Sequence, residues 1–188
     1  MADRRFAATA TPLAGLALVQ RFRLEDDRGF LSRLYCRDEL SAIGFPAPIV
    51  QINQTFTRAS GTVRGMHFQR GEHVEMKLVT CLRGTIWDVA VDLRPDSPTF
   101  LHWHAEELSE SNGLAFLIPE GFAHGFQVQS EECDVLYLHS TPHAPQAEGG
   151  VNPRDPRLAI AWPLPITLMS PRDTAHPMID DGFEGLRL

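Results

Sequence analysis

The chain has 188 residues, 43% of them hydrophobic and 22% charged, and its 17 basic against 24 acidic side chains leave a net charge of −7. The length suits one domain and the composition a buried core rather than disorder, while an acidic balance with no basic run longer than Arg4-Arg5 speaks against a nucleic-acid partner. No stretch approaches about 18 uninterrupted apolar residues, which speaks against a membrane span. Three cysteines with no C-x-x-C spacing speak against a disulfide framework or zinc ribbon and fit a reducing, cytoplasmic compartment.

In chain order, residues 1–19 set Arg4 and Arg5 ahead of a mildly apolar run. Asp3, Pro12 and the weak apolar centre separate this segment from a signal peptide, and it reads as a first strand. Glycines and prolines, 14 of each, then punctuate short runs rich in Val, Ile, Leu, Phe and Thr. Strands are expected over residues 16–23, 30–35, 49–57, 62–69, 76–82, 85–93, 99–106, 114–119, 125–129 and 133–140. The clearest is 85–93, where Trp87, Val89, Val91 and Leu93 share one face and Ile86, Asp88, Ala90 and Asp92 the other. A short helix is expected over 38–43, stopped by Gly44 and Pro46, and one helical turn over 171–174. Many strands without alternating helices rule out a parallel α/β sheet and leave an all-β jelly roll or barrel. The Pro-rich stretch 142–177 has Ile160, Trp162 and Ile166 to bury, so it reads as a C-terminal wrapping tail of a single domain spanning 1–188.

Two stretches carry chemistry. Gly113 to His124 fits the second cupin motif, G-x5-P-x-G-x-x-H, at every fixed position, with Pro119 and Gly121 turning the chain so that His124 points inward. Gly61 to Gln69 fits G-x5-H-x-H except that Gln69 stands at the second histidine. A metal needs three or four convergent ligands, and His67 and His124, with Glu75 as a candidate third, fall short of that shell, so no metal is assigned. His102 and His104, in H-x-H beside Trp103, read as a solvated strand face.

The segments R-G-M-H-F-Q (Arg64 to Gln69), K-L-V (Lys77 to Val79), D-V-A-V-D-L-R-P-D-S-P-T-F (Asp88 to Phe100), I-P-E-G-F-A-H-G-F (Ile118 to Phe126) and S-P-R-D (Ser170 to Asp173) occur in this order. With D-R-G-F (Asp27 to Phe30) and Q-x-N (Gln51 to Asn53), they closely resemble the dTDP-4-dehydrorhamnose 3,5-epimerase family over nearly the whole chain. The resemblance implies a cupin-type jelly roll, a homodimer, and an enzyme of deoxysugar biosynthesis that works without a cofactor on a nucleotide-linked 4-keto-6-deoxyhexose. A proton beside the ketone is removed, the enolate is held, and a proton returns on the opposite face.

The resemblance also implies roles. His67 matches the general base, and imidazole titrates near working pH. Asp173 matches the carboxylate that orients it, although the residue also suits a helix cap. Lys77 is the only lysine beside 16 arginines, and its compact ammonium suits an enolate oxygen. Tyr137 matches the proton donor. Arg64 and Arg28 match contacts to the diphosphate and nucleotide, Arg28 reaching the partner's pocket on an N-terminal segment. Gln51, Asn53, His124, Glu148 and Arg172 also fall on substrate-binding positions. The chain departs from the family at Arg33, where a glutamate is common, at Glu75, where glutamine is usual, and at Pro142 and His143, where tyrosines are frequent. The catalytic set is therefore kept while the recognition set drifts. A metal-dependent cupin enzyme using His67, Glu75 and His124, or a silent nucleotide-sugar binding module, are the alternatives.

Overall fold

The computed structural model describes residues 4–188. Among them run thirteen strands: β1 Phe6–Ala10, β2 Ala17–Arg21, β3 Arg23–Asp26, β4 Gly29–Ser32, β5 Gln51–Thr57, β6 Val63–Gln69, β7 Lys77–Arg83, β8 Thr85–Asp92, β9 Trp103–Ser109, β10 Leu114–Ile118, β11 Phe122–Val128, β12 Cys133–His139 and β13 Glu148–Gly150. Two short helices, α1 Arg37–Ala42 and α2 Pro171–Ala175, complete the regular structure beside one 3₁₀ turn. The strands form a six-stranded sheet in the order β1-β2-β10-β7-β12-β5, a five-stranded sheet in the order β13-β6-β11-β8-β9, and the separate β3-β4 hairpin.

The alternation of side chains explains how these sheets stack. On β8, Ile86 and Ala90 enter a core shared with Val79, Cys81, Phe116, Phe126 and Val135, which lies between the two large sheets. The opposite parity, Val89 and Val91, packs outward against Val151, Leu158, Ile160, Ile179 and Leu186 of the C-terminal tail. On the far side of the six-stranded sheet, Leu78, Ala115 and Leu138 are covered by Leu40 of α1 and by Phe45. The central strands of both sheets are thus covered on both faces, as in a two-layer jelly roll, while the edge strands β1 and β5 stay partly exposed. The tail joins the five-stranded sheet through β13, which pairs with β6, and through a parallel bridge between Thr62 and Leu168.

The inward parity also sorts by polarity. Along β12, Cys133 and Val135 belong to the apolar core and the next inward residues are Tyr137 and His139. Along β7, Cys81 and Val79 give way to Lys77, and along β11, Val128 and Phe126 give way to His124. One end of the barrel is therefore oily and the other chemical. At the chemical end β6 and β11 come unusually close. Gly65 has a φ of 137°, and a Cβ there would lie 2.5 Å from the Gly125 Cα, so only glycine allows the approach that sets His67 opposite His124.

Several sequence-based boundaries move. The first strand expected over 1–19 is two strands, β1 and β2, folded back by a turn at Pro12–Gly15, with residues 1–3 outside the described set. The stretch 16–23 divides between β2 and β3, and 30–35 contributes only the second arm of an exposed hairpin. The strand expected at 99–106 starts at Trp103, because Ser97 and Thr99 instead hydrogen-bond the buried Asp92 carboxylate and hold the preceding turn. His102 consequently lies off the strand, while His104 pairs with Glu106 at 2.8 Å. Strand β13 carries little β-forming sequence beyond two glycines and was not expected.

Candidate active site

A cavity of about 910 Å³ opens at the chemical end of the barrel, between the two large sheets and the start of α2. His67 and His124 come to it from the five-stranded sheet, and Lys77, Tyr137, His139, Gln51 and Asn53 from the six-stranded sheet. The tail adds Glu148, Arg172 and Asp173. All four residues expected to be catalytic, His67, Lys77, Tyr137 and Asp173, line this one space. So do six of the seven expected binding residues.

His67 Nε2 lies 2.8 Å from Asp173 Oδ1, across 106 residues of sequence. The local structure explains why Asp173 is free for this contact. Pro171 sits in the first turn of α2 and the Ser170 hydroxyl accepts from the Asp173 N–H at 3.0 Å, so Ser170 is the cap, and the alternative reading of Asp173 as a capping residue fails. Its other oxygen accepts from the Gly65 N–H at 3.3 Å. Burial works against the charged carboxyl, yet the His67 ring, the Gly65 N–H and the Ser170 hydroxyl outweigh it and hold Asp173 at about 2. The anion fixes the ring and selects the tautomer whose Nδ1 is the open nitrogen, since Nδ1 has no hydrogen-bond partner among the described residues. His176 packs edge-on against His67 with ring centroids 5.5 Å apart, and burial lowers its pKa.

Tyr137 faces this dyad from the other sheet. Desolvation pushes its phenol well above the ordinary range, so the hydroxyl stays protonated at neutral pH. His124 stands edge-on to its ring, with centroids 6.0 Å apart, and its Nε2 lies 2.7 Å from the fully buried Asp88. Burial raises the Asp88 pKa, partly offset by His124, and Asp88 Oδ2 is buried without a partner. Lys77 is buried, with its ammonium 3.1 Å from Glu75.

The mouth is cationic. Arg64 is exposed and braced by the Thr57 hydroxyl at 3.0 Å. Arg172 reaches Glu148 at 2.8 Å and comes within 3.3 Å of His67 Nε2. Gln51 accepts from the His143 N–H at 2.9 Å and so shapes the adjoining loop. Arg28 is the expected binding residue that the fold does not bring in: it sits on the β3-β4 turn, its side chain 90% exposed, paired with Asp26 at 2.6 Å. Arg33 pairs with Glu39 of α1.

The metal set of a cupin does not fit these residues. His67 is committed to Asp173, His124 to Asp88, and Glu75 to Lys77 and His139. Gln69, at the position of the second motif histidine, spends its amide on the loop, donating to the His73 and Pro142 carbonyls and accepting from the Ala144 N–H. Among the described residues the one group close enough to share an ion is His67, Asp173 and His176, a different trio beside the Arg172 cation.

Three site residues escaped the sequence reading. His139 follows Tyr137 by two positions and so shares its face, a parity signal that was available. Asp88 was assigned a face without a partner, and His176 had no signal beyond lying near Asp173.

Fold and cavity together define a cupin-type jelly roll with an acid–base site inside the barrel. The chain belongs to the dTDP-4-dehydrorhamnose 3,5-epimerase family, whose model matches residues 10–181, and it is therefore a carbohydrate isomerase. It is 40% identical over 160 residues to the dTDP-4-dehydrorhamnose 3,5-epimerase of Salmonella typhimurium, covering 84% of this chain and 87% of that one. It is 42% identical over 149 residues to the dTDP-4-dehydrorhamnose 3-epimerase of Streptomyces niveus, covering 79% and 72%. The dTDP-6-deoxy-D-glucose-3,5-epimerase of Legionella pneumophila, solved in complex with dTDP-4-keto-L-rhamnose, superposes with a TM-score of 0.88 at 35% identity over 92% of each chain.

Proposed function

We propose that the protein inverts C3, C5 or both of a nucleoside-diphosphate 4-keto-6-deoxyhexose of the dTDP-4-dehydro-6-deoxyglucose type, in deoxysugar biosynthesis. The observation that carries this reading is that His67 and Tyr137 approach one cavity from opposite sheets. A base on one wall and an acid on the other is what inversion at carbon requires.

His67 Nδ1 takes the proton from the carbon next to the ketone, and Asp173 stabilises the imidazolium that results. The electron pair moves into the carbonyl, and the oxygen's new charge meets the Lys77 ammonium in a largely buried setting where it counts most. Tyr137 then gives its proton to the opposite face of the carbon and recovers one from solvent. Arg64 and Arg172 at the mouth suit a diphosphate, whose oxygens match paired guanidinium donors. Gln51, Asn53, His124 and Glu148 supply polar contacts to sugar or nucleotide. No metal or other cofactor is needed for these steps.

The test is exchange in D₂O. Purified protein given the keto-sugar nucleotide is expected to incorporate deuterium at C3 or C5, and His67→Ala to lose that incorporation. Ligand binding without any exchange would sink the reading and leave a binding module.

The working form is proposed to be a homodimer in the cytoplasm. Phe30 and Leu31 on the hairpin and Val50, Ile52 and Phe56 on or beside the edge strand β5 are 40–59% exposed, an apolar surface unusual for a monomer. Pairing across it would carry the Arg28 hairpin toward a second chain's cavity. Sedimentation at micromolar concentration should give twice the chain mass. Ile52→Asp with Phe56→Asp should halve it, and a wild-type monomer would refute the pairing. Cys36, Cys81 and Cys133 are all free, which suits a reducing compartment.

A further inference from the structure

Two residues beside Lys77 in the cavity, Glu75 and His139, have no part in the chemistry described so far. Glu75 Oε1 lies 3.1 Å from the Lys77 ammonium, and Glu75 Oε2 lies 2.7 Å from His139 Nδ1. The side chains of Glu75, Lys77 and His139 are 9%, 9% and 11% exposed. Asn53 Nδ2 approaches His139 Nε2 at 3.4 Å, and the imidazole stacks on Tyr137 with centroids 6.0 Å apart.

Donor and acceptor roles along this row follow from its ends. The ammonium only donates and the Asn53 amide nitrogen only donates. His139 therefore accepts from Asn53 at Nε2 and donates to Glu75 from Nδ1, and Glu75 accepts on both oxygens. The carboxylate stays ionised despite burial, its pKa lowered by His139 and Lys77. A lysine ammonium rides on a flexible four-carbon stem and is located only by what it binds. Here one carboxylate oxygen binds it while the other is tied to a different strand, β12.

We infer that Glu75 and His139 are a coupled pair of positioning residues for Lys77, fixing the ammonium where the enolate oxygen develops. The inference rests on the proposed role of Lys77 and goes beyond it. It also gives the departure from glutamine at position 75 a physical partner. A glutamine amide beside His139 would present a donor either to the His139 N–H or to the ammonium, and matching every donor would require His139 to change tautomer and Asn53 to turn its amide. A carboxylate satisfies both.

The test is a double-mutant cycle on the full-length protein, reading kcat, KM and deuterium exchange, with thermal melting to confirm folding. Glu75→Gln is expected to lower kcat about tenfold, because its single amide oxygen is drawn to the His139 N–H and no longer holds the Lys77 ammonium, with KM within about twofold. His139→Phe keeps the stack on Tyr137 and removes one anchor of the carboxylate, and should lower kcat about threefold. The double variant has no opposing N–H, so its amide oxygen can face Lys77. It should recover to within about threefold of wild type and be faster than Glu75→Gln alone. A double variant no faster than Glu75→Gln, or kcat within twofold of wild type in all three, overturns the inference. Should Glu75→Gln not fold, His139→Phe decides: lowered kcat at constant KM supports the pair, and unchanged kcat refutes it. Lys77→Met separates the two levels. If it is inactive while the pair variants are normal, only the positioning claim falls; if it turns over like wild type, the enolate role of Lys77 falls and takes the positioning claim with it.

Discussion

Replacing Asp173 by asparagine keeps the shape of the side chain and removes its charge. Asp173 is 2% exposed and holds His67 Nε2 at 2.8 Å, so the lost interaction joins a buried carboxylate to a ring whose side chain is 25% exposed. A carboxyl held at about 2 against an ordinary 3.8 prefers its charged form by about 2.5 kcal/mol, much of it owed to His67. If that amount is withdrawn from the imidazolium as it forms, proton abstraction slows about 60-fold. An asparagine amide can also turn its N–H₂ toward the ring and favour the wrong tautomer, which extends the expected loss in kcat to about 10²–10⁴-fold. The assay is single-turnover deuterium incorporation at C3 and C5, with circular dichroism and thermal melting as folding controls. A folded Asp173→Asn protein exchanging within about threefold of wild type would refute the claim that this carboxylate drives the base.

Three further outcomes follow from the same geometry. Burial disfavours the charged Asp92 carboxyl, but Arg94, Ser97, Thr99 and the Arg94 N–H together hold it at about 2. Because Asp92 and Asp173 are both depressed, their contributions are complete above about pH 5 and are lost as pH falls toward 2, so melting temperature should drop steeply across that window and less steeply in Asp92→Asn. Tyr137→Phe removes the acid and leaves the base, so product formation should fall about 10²–10³-fold while exchange returning deuterium to unreacted substrate persists, with melting changed by less than about 1 kcal/mol. Gly65→Ala would drive a methyl group to 2.5 Å from the Gly125 Cα, a backbone neighbour that cannot step aside, and should yield little folded protein on expression; a normally melting variant would show that the approach of β6 and β11 is adjustable.

Much of this was legible in the sequence, for reasons that differ by element. The 85–93 strand was readable because alternation survives when both faces are buried by different partners, and its two parities go to different cores. His67, Lys77, Tyr137 and Asp173 were found through motif resemblance, not through any local pattern that would place them around one cavity. Strand ends went wrong where a polar side chain overrode β-propensity, as at Ser97 and Thr99 around Asp92. Arg28 was expected at the substrate and lies instead on the exposed β3-β4 turn, paired with Asp26. The Glu75–His139 pair was half visible: the glutamate stood out as a departure, but its partner lies 64 residues away and only the strand order, with β7 beside β12, brings the two together.

The bridge between Thr62 and Leu168 has a bearing on when the molecule becomes an enzyme. The barrel's own strands furnish His67, Lys77 and Tyr137, but the Asp173 carboxylate that holds His67 arrives on a segment translated more than a hundred residues after it. A chain still on the ribosome, or one whose last turn has peeled away under heat or proteolysis, lacks both that carboxylate and the neighbouring Arg172 guanidinium at the cavity mouth. The site is thus complete only when the end of the chain has docked on the barrel.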